Sequence, residues 1–317
     1  YLLKIMTTNK EVFQTDPTSR KLLNEGVSSN NLDSSDSKQL DTLRYELETF
    51  VCEGEYHQGM ERILGSYLTA FGRGDTPGTW VSGFFGSGKS HMVKILRFLW
   101  EDFKFPDGAS ARGITTLPDD IEAHLRELDN LGTRHGKLIS AGGTLKSGNE
   151  SVRMTLLGII FKSLGLPERY PLARFLLDLR DDGTLDAFTE EVSKANKNLD
   201  DEIKRLYVSP VIAKAYQAVN PDLPSSAGDV MNLLAQNYSN PEKSGGITIE
   251  EMLTAIRRAL GDGKEISPSL IVLDEIQQYI ADDPDTAAEV QEVIEACQKN
   301  LGGRMLVVGT GQSALHD

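Results

Sequence analysis

The stretch that most constrains this chain is Gly83-Phe84-Phe85-Gly86-Ser87-Gly88-Lys89-Ser90. It lies between the short apolar segment Thr79-Trp80-Val81-Ser82 and a run in which Met92, Ile95, Leu96 and Leu99 recur at helical spacing. Gly83, Gly88, Lys89 and Ser90 satisfy the spacing G-x-x-x-x-G-K-S/T, and they do so after a strand and at the opening of a helix, the context that gives the spacing a mechanism. Glycines admit backbone conformations closed to other residues, so the amides around Gly86 and Ser87 can converge on phosphate oxygens. The helix that follows adds its positive N-terminal end. In this reading Lys89 reaches the β- and γ-phosphates and the Ser90 hydroxyl binds Mg²⁺. Composition alone produces such a match in roughly one chain of this length in a hundred, and the flanking strand and helix lower that further.

The rest of the chain is organised around this point. Residues 1–40 are polar and rich in Ser, Asn and Asp, and read as an N-terminal arm. Residues 41–166 begin with helical patterning at Leu43, Leu47, Phe50 and Val51, then at Met60, Ile63, Leu64 and Leu68. The Thr79 strand, the phosphate loop, a helix over "LPDDIEAHLRELDNLG", a second strand over "GKLISAGGT" and a helix over "ESVRMTLLGIIFKSLG" follow. Residues 167–246 are charged, helical in pattern and punctuated by prolines, and read as a helical insertion. Residues 247–317 resume the first pattern. Thr248 and Glu251 form a capping box, Ile247 and Met252 a hydrophobic staple, and Gly261 is placed to close the helix. Strand "SLIVLDE", a helix with Val290, Val293, Ile294, Cys297 and Leu301 on one stripe, and strand "RMLVVGTGQ" complete it. Continuously apolar strands separated by helices predict an α/β fold with a parallel sheet covered on both faces.

Two further motifs join the loop. Asp274 and Glu275 end an apolar strand, so Asp274 is placed to hold Mg²⁺ and Glu275 to orient and polarise an attacking water. A water-activating Glu favours hydrolysis over transfer to a bound acceptor. Polar residues follow the apolar part of "RMLVVGTGQ", and a polar residue just past an apolar strand lying between the other two in the sheet commonly senses the γ-phosphate in ATPases with such an extra strand; Gln312 is the first candidate and Thr310 the second. The alternative for that stretch is a turn chosen for Gly309 and Gly311. His91 follows Ser90, and helix-start packing is favoured over contact with a nucleotide or neighbouring subunit. Arg257 and Arg258 read as a solvated face, and Cys297 as core. Phe84 and Phe85 are bulkier than such a loop requires.

Composition excludes several classes. The formal charge of −14 gives the chain a field that repels nucleic acid and anionic lipid, so any DNA contact belongs to a local patch or to other parts of a longer protein. Two cysteines without metal-ligand neighbours exclude a disulfide framework and fit a reducing, cytoplasmic setting. No apolar run reaches the roughly 18 residues of a membrane span. The five histidines show no H-x-x-x-H pairing, which argues against metal catalysis of that kind. No N-K-x-D element points to GTP, and ATP is the expected nucleotide.

The run "GTWVSGFFGSGKSHMVKILRFLW" resembles the phosphate loop of the BrxC/PglY-like P-loop ATPases of BREX bacteriophage-defence systems. "LRYELETFVCEGEY" is similar to the segment that precedes the loop in that family, while "SLIVLDEIQQYI" and "LGGRMLVVGTGQSALHD" resemble its acidic strand and third strand with a V-x-T-x-Q ending. Across Cys52–Tyr56 the match to the family's V-x-T-x-E-L is poor, which leaves contacts to a nucleotide base there open. The resemblance implies an AAA+/ASCE-like P-loop NTPase with strand order 5-1-4-3-2 and with the fifth strand, helical lid and arginine finger beyond Asp317. It also implies phosphate binding by Gly83 to Ser90, Mg²⁺ at Ser90 and Asp274, catalysis by Glu275 with Lys89, partners among other BREX-type proteins, and homo-oligomers of a full-length parent. Two other readings remain at this point: a nucleotide-binding scaffold or switch without turnover, and a P-loop kinase.

Overall fold

The computed structural model describes residues 37–74, 78–84, 86–145, 151–241, 246–280 and 283–312. Most of the expected polar arm, Phe85 and the last five residues lie outside that set. In chain order the elements are α1 (Ser37–Glu48), α2 (Gly54–Ala70), β1 (Thr79–Ser82), α3 (Lys89–Trp100), α4 (Ala111–Ile114), α5 (Asp119–His135), β2 (Ile139–Thr144) and α6 (Val152–Ser163). There follow α7 (Tyr170–Asp181), α8 (Leu185–Lys194), α9 (Leu199–Ile203), α10 (Pro210–Val219) and α11 (Ala227–Asn237). The chain then forms α12 (Ile249–Leu260), β3 (Ser269–Asp274), α13 (Ile276–Ile280), α14 (Pro284–Asn300) and β4 (Met305–Gly311).

The four strands form one all-parallel sheet in the order β1-β4-β3-β2, with helices on both faces. The central strand β3 explains why its sequence is unbroken apolar. Leu270 and Val272 join a core with Leu43, Met60, Leu64, Leu96 and Leu99 on one side of the sheet. Ile271 and Leu273 join Leu157, Ile160, Ile256, Val293 and Cys297 on the other. Burying each such aliphatic side chain contributes about 1.5–3 kcal/mol, so a strand of this composition is stable only when covered twice. A five-strand order is not present as such: the described residues contain four strands, and β1 pairs only with β4.

The helices α7 to α11 carry a separate apolar cluster, with Phe175 and Phe188 in edge-on contact at 5.5 Å. Thr248 and Glu251 make the reciprocal capping box at the start of α12, and Ile247 and Met252 are both buried. Gly261 is the C-cap of α12, as expected, but it does not close the helix through a left-handed turn. Its φ of −158° is ordinary extended backbone, and the glycine is required because a Cβ would sit 1.8 Å from the Glu265 carbonyl oxygen. Val51 also departs from the helical reading, since α1 ends at Glu48 and Val51 is exposed while Phe50 turns inward. Among the described residues no helix is long and apolar enough to cross a membrane.

Candidate functional site

Parallel strands in register bring their C-terminal ends to one edge. Ser82 lies opposite Gly311, Leu273 opposite Gly309, and Thr144 opposite Asp274. Crevices outside the carboxyl ends of such strands are where open α/β sheets bind ligands. Here the crevice is a cavity of about 550 Å³, walled by Gly86, Gly88, Lys89 and Ser90 on one side and by Asp274, Glu275, Thr310 and Gln312 on the other. That volume is within the usual range of small-molecule sites.

The loop's shape follows from its glycines. Gly86 and Gly88 have φ of +80° and +82°, a region that costs other residues roughly 1–2 kcal/mol. Ser87 N–H closes a turn onto the Phe84 carbonyl at 3.1 Å, and α3 begins at Lys89, with Met92 N–H bonded to the Gly88 carbonyl at 2.9 Å. Gly83 leaves room for the Ser87 hydroxyl, which would stand 2.9 Å from a Cβ there. Lys89 folds back, its Nζ donating to the carbonyls of Gly83 at 2.7 Å and Phe84 at 3.1 Å. Phe84 is 87% exposed and is not part of the cavity wall, so this aromatic does not plug the cavity.

On the facing wall, one carboxylate oxygen gathers three donors. Asp274 Oδ1 accepts from Ser90 Oγ at 2.9 Å, from the Glu275 amide at 3.2 Å and from the Thr310 hydroxyl. The Glu275 amide also donates to Thr310 Oγ1 at 3.0 Å. Asp274 is buried and Glu275 exposed, and the chain turns between them: Glu275 has φ of +57°, which only two other non-glycine residues among those described share in sign. Positive φ at a glutamate is strain of the kind that clusters at working sites. Gln312 is exposed, and its amide N–H donates to Gln277 Oε1 at 2.7 Å. Thr310 is therefore the β4 residue tied to the two acids, while Gln312 lines the rim.

Ser90 and Asp274 together fit a Mg²⁺ ion. They supply a hydroxyl and a carboxylate oxygen already in contact, and Mg²⁺ characteristically takes one or two protein oxygens and completes its shell with phosphate and water. Among the described residues no group of three His, Cys, Asp or Glu is gathered for a metal.

Gly309 and Gly311 do not form a turn. They lie within β4, where a Cβ on Gly311 would meet the Trp80 ring at 2.1 Å. His91 is half-buried beside the Phe50 ring at 5.8 Å and also contributes to the cavity wall. Burial holds its imidazole below the ordinary value, opposed by the Glu46 carboxylate and reinforced by Lys94. Burial pushes the Cys297 thiol up to about 12, consistent with a core residue. Arg257 and Arg258 are not a free solvated face: Arg257 donates to the Asn300 carbonyl at 3.2 Å, and Arg258 is paired with Asp178 at 2.8 Å and Asp181 at 2.6 Å on α7.

Sequence reasoning missed Thr144, Gln277 and Gln278 in the cavity wall. The first was detectable as the end of the second strand; the glutamines directly follow the acid pair and carry no spacing signal of their own. No protein-family model matches the chain, and no solved structure matches it.

Proposed function

We propose that this chain binds and hydrolyses ATP, as the ATPase module of a BREX-type bacteriophage-defence protein that couples nucleotide state to assembly or remodelling of a DNA-acting complex. The observation that carries the nucleotide reading is the 2.9 Å bond between Ser90 and Asp274, residues separated by 184 positions, at the mouth of a glycine loop. The order β1-β4-β3-β2 is also what remains of 5-1-4-3-2 when its fifth strand is removed. The resemblance of the three motifs carries the defence context.

In this mechanism the loop amides and the N-terminal end of α3 receive the phosphates, and Lys89 exchanges a loop carbonyl for a phosphate oxygen. Ser90 and Asp274 hold Mg²⁺, which when bound neutralises charge on the phosphates. Glu275 accepts a proton from water as the water oxygen bonds to the γ-phosphorus and the bond from that phosphorus to the β–γ bridging oxygen breaks, releasing ADP and phosphate. Thr310 fixes the acid pair by bonding to Asp274 and accepting from the Glu275 amide. Homo-oligomers and contacts to other defence proteins or DNA belong to the same proposal.

The test is MgATP binding and phosphate release by the wild type, Lys89→Ala and Glu275→Gln. Lys89→Ala is expected to weaken binding about 10- to 100-fold, the loss of one charge-assisted contact. Glu275→Gln is expected to bind normally and turn over at least a hundredfold more slowly. Full MgATP affinity in Lys89→Ala would refute the site. Unchanged turnover in Glu275→Gln would refute hydrolysis by this route, and labelled γ-phosphate on an acceptor other than water would indicate a kinase.

A further inference from the structure

We infer that Tyr56 is a positioning residue that presets the phosphate loop, a role that rests on the nucleotide reading above. Tyr56 stands in the first turn of α2, 31 residues before Ser87. Its hydroxyl donates to the Ser87 carbonyl at 2.7 Å. Its ring lies 5.9 Å from that of the buried Phe50 and fills the space beside Gly88, where a Cβ would come within 1.8 Å of the phenol oxygen. Glycine at 88 thus serves two ends: it permits φ of +82° and it leaves room for Tyr56.

The consequence lies in the peptide between Ser87 and Gly88. The described residues contain no cis bonds, so its carbonyl and N–H point in opposite directions. With the carbonyl held by Tyr56, the Gly88 N–H faces away from the phenol. Gly88 and Lys89 line the cavity and Tyr56 does not, so that direction is toward the ligand space. Without the phenol hydroxyl the peptide is free to flip and present a carbonyl to the anion, and binding must then include the cost of turning it back. Tyr56 touches no reacting atom, and its effect passes entirely through the loop.

The experiment compares wild type, Tyr56→Phe, Tyr56→Ala and Lys89→Ala by calorimetric titration with MgADP and MgATP. Thermal unfolding and the ¹⁵N resonance and hydrogen-exchange rate of the Gly88 amide are recorded without nucleotide. Tyr56→Phe is expected to unfold within a few degrees of wild type, to shift the Gly88 resonance and speed its exchange, to bind both nucleotides about three- to tenfold more weakly, and to raise KM with kcat retained. Tyr56→Ala, which also removes the ring, is expected to bind more weakly still. Wild-type affinity in Tyr56→Phe, or an unmoved Gly88 resonance, overturns the inference, as does a large loss of stability with that resonance unmoved. If wild type binds and Lys89→Ala does not while Tyr56→Phe matches wild type, the inference fails alone. If wild type binds neither nucleotide, the nucleotide reading fails with it.

Discussion

Glycine at position 275 is expected to make the protein more stable and inactive at once. Glu275 has φ of +57°, a conformation that costs a non-glycine residue roughly 1–2 kcal/mol. Glycine removes that cost but adds about 0.5–1 kcal/mol of unfolded-state entropy, leaving a net gain of roughly 0.5–1 kcal/mol. Little opposes this gain, because the side chain is exposed and the bonds that hold the position use the backbone: the amide donates to Asp274 and Thr310, and the carbonyl accepts from the Gln278 and Tyr279 amides. Removing a carboxylate beside Asp274 also relieves repulsion, so the proper reference is Glu275→Gln, which removes the charge but keeps the strained backbone. In urea unfolding followed by circular dichroism, with a slope of about 3 kcal/mol per molar, Glu275→Gly is expected to lie about 0.2–0.3 M above Glu275→Gln in midpoint at equal slope. Both are expected to lose at least a hundredfold in phosphate release. A glycine variant no more stable than the glutamine variant would show that the turn is unstrained, and wild-type turnover in either would remove Glu275 from the chemistry.

Three other outcomes follow from the same geometry. Asp274→Asn keeps an oxygen to accept from Ser90, Thr310 and the Glu275 amide, so its stability should stay within about 1 kcal/mol of wild type while the Mg²⁺-dependent part of ATP affinity disappears; Asp274→Ala orphans those donors and should cost about 2–4 kcal/mol in denaturant unfolding. Because burial lowers the His91 pKa in the folded state, the unfolded chain takes up the proton first: stability should be full above about pH 6.5, fall as pH drops toward the folded value and then level off, and His91→Gln should flatten that part of the profile. Arg258→Ala breaks the ion pairs to α7, so hydrogen exchange across that helix should quicken about fivefold while nucleotide affinity stays within twofold of wild type.

The sheet and its covering helices were legible because each signal is local. β3 is apolar without alternation since Leu270 and Ile271 face different cores, and Thr248 with Glu251 writes the start of α12 within four residues. The glycine loop and the acid pair were readable separately, and the parallel register brings them to one cavity. Features that depend on distant packing were not readable. Arg258 looks solvated until Asp178 and Asp181, 80 and 77 residues earlier, are folded against it. Tyr56 carries no motif, and its bond to Ser87 forms only once α2 and α3 share one core, to which Met60 and Met92 both belong. Gly309 and Gly311 left a turn open, and the space a Cβ would need is taken by the Ile276 side chain and the Trp80 ring at Gly309 and by the Trp80 ring at Gly311.

The position of β4 has a consequence for synthesis. Although β1 is the first of these four strands to be made, among the described residues it hydrogen-bonds to no strand but β4, the fourth to be made. β2 and β3 can pair with each other earlier, whereas Thr79–Ser82 and the loop attached to it must wait for Met305–Gly311. A nascent chain arrested before residue 305 therefore holds every glycine of the loop and both acids, yet has no seam to join them.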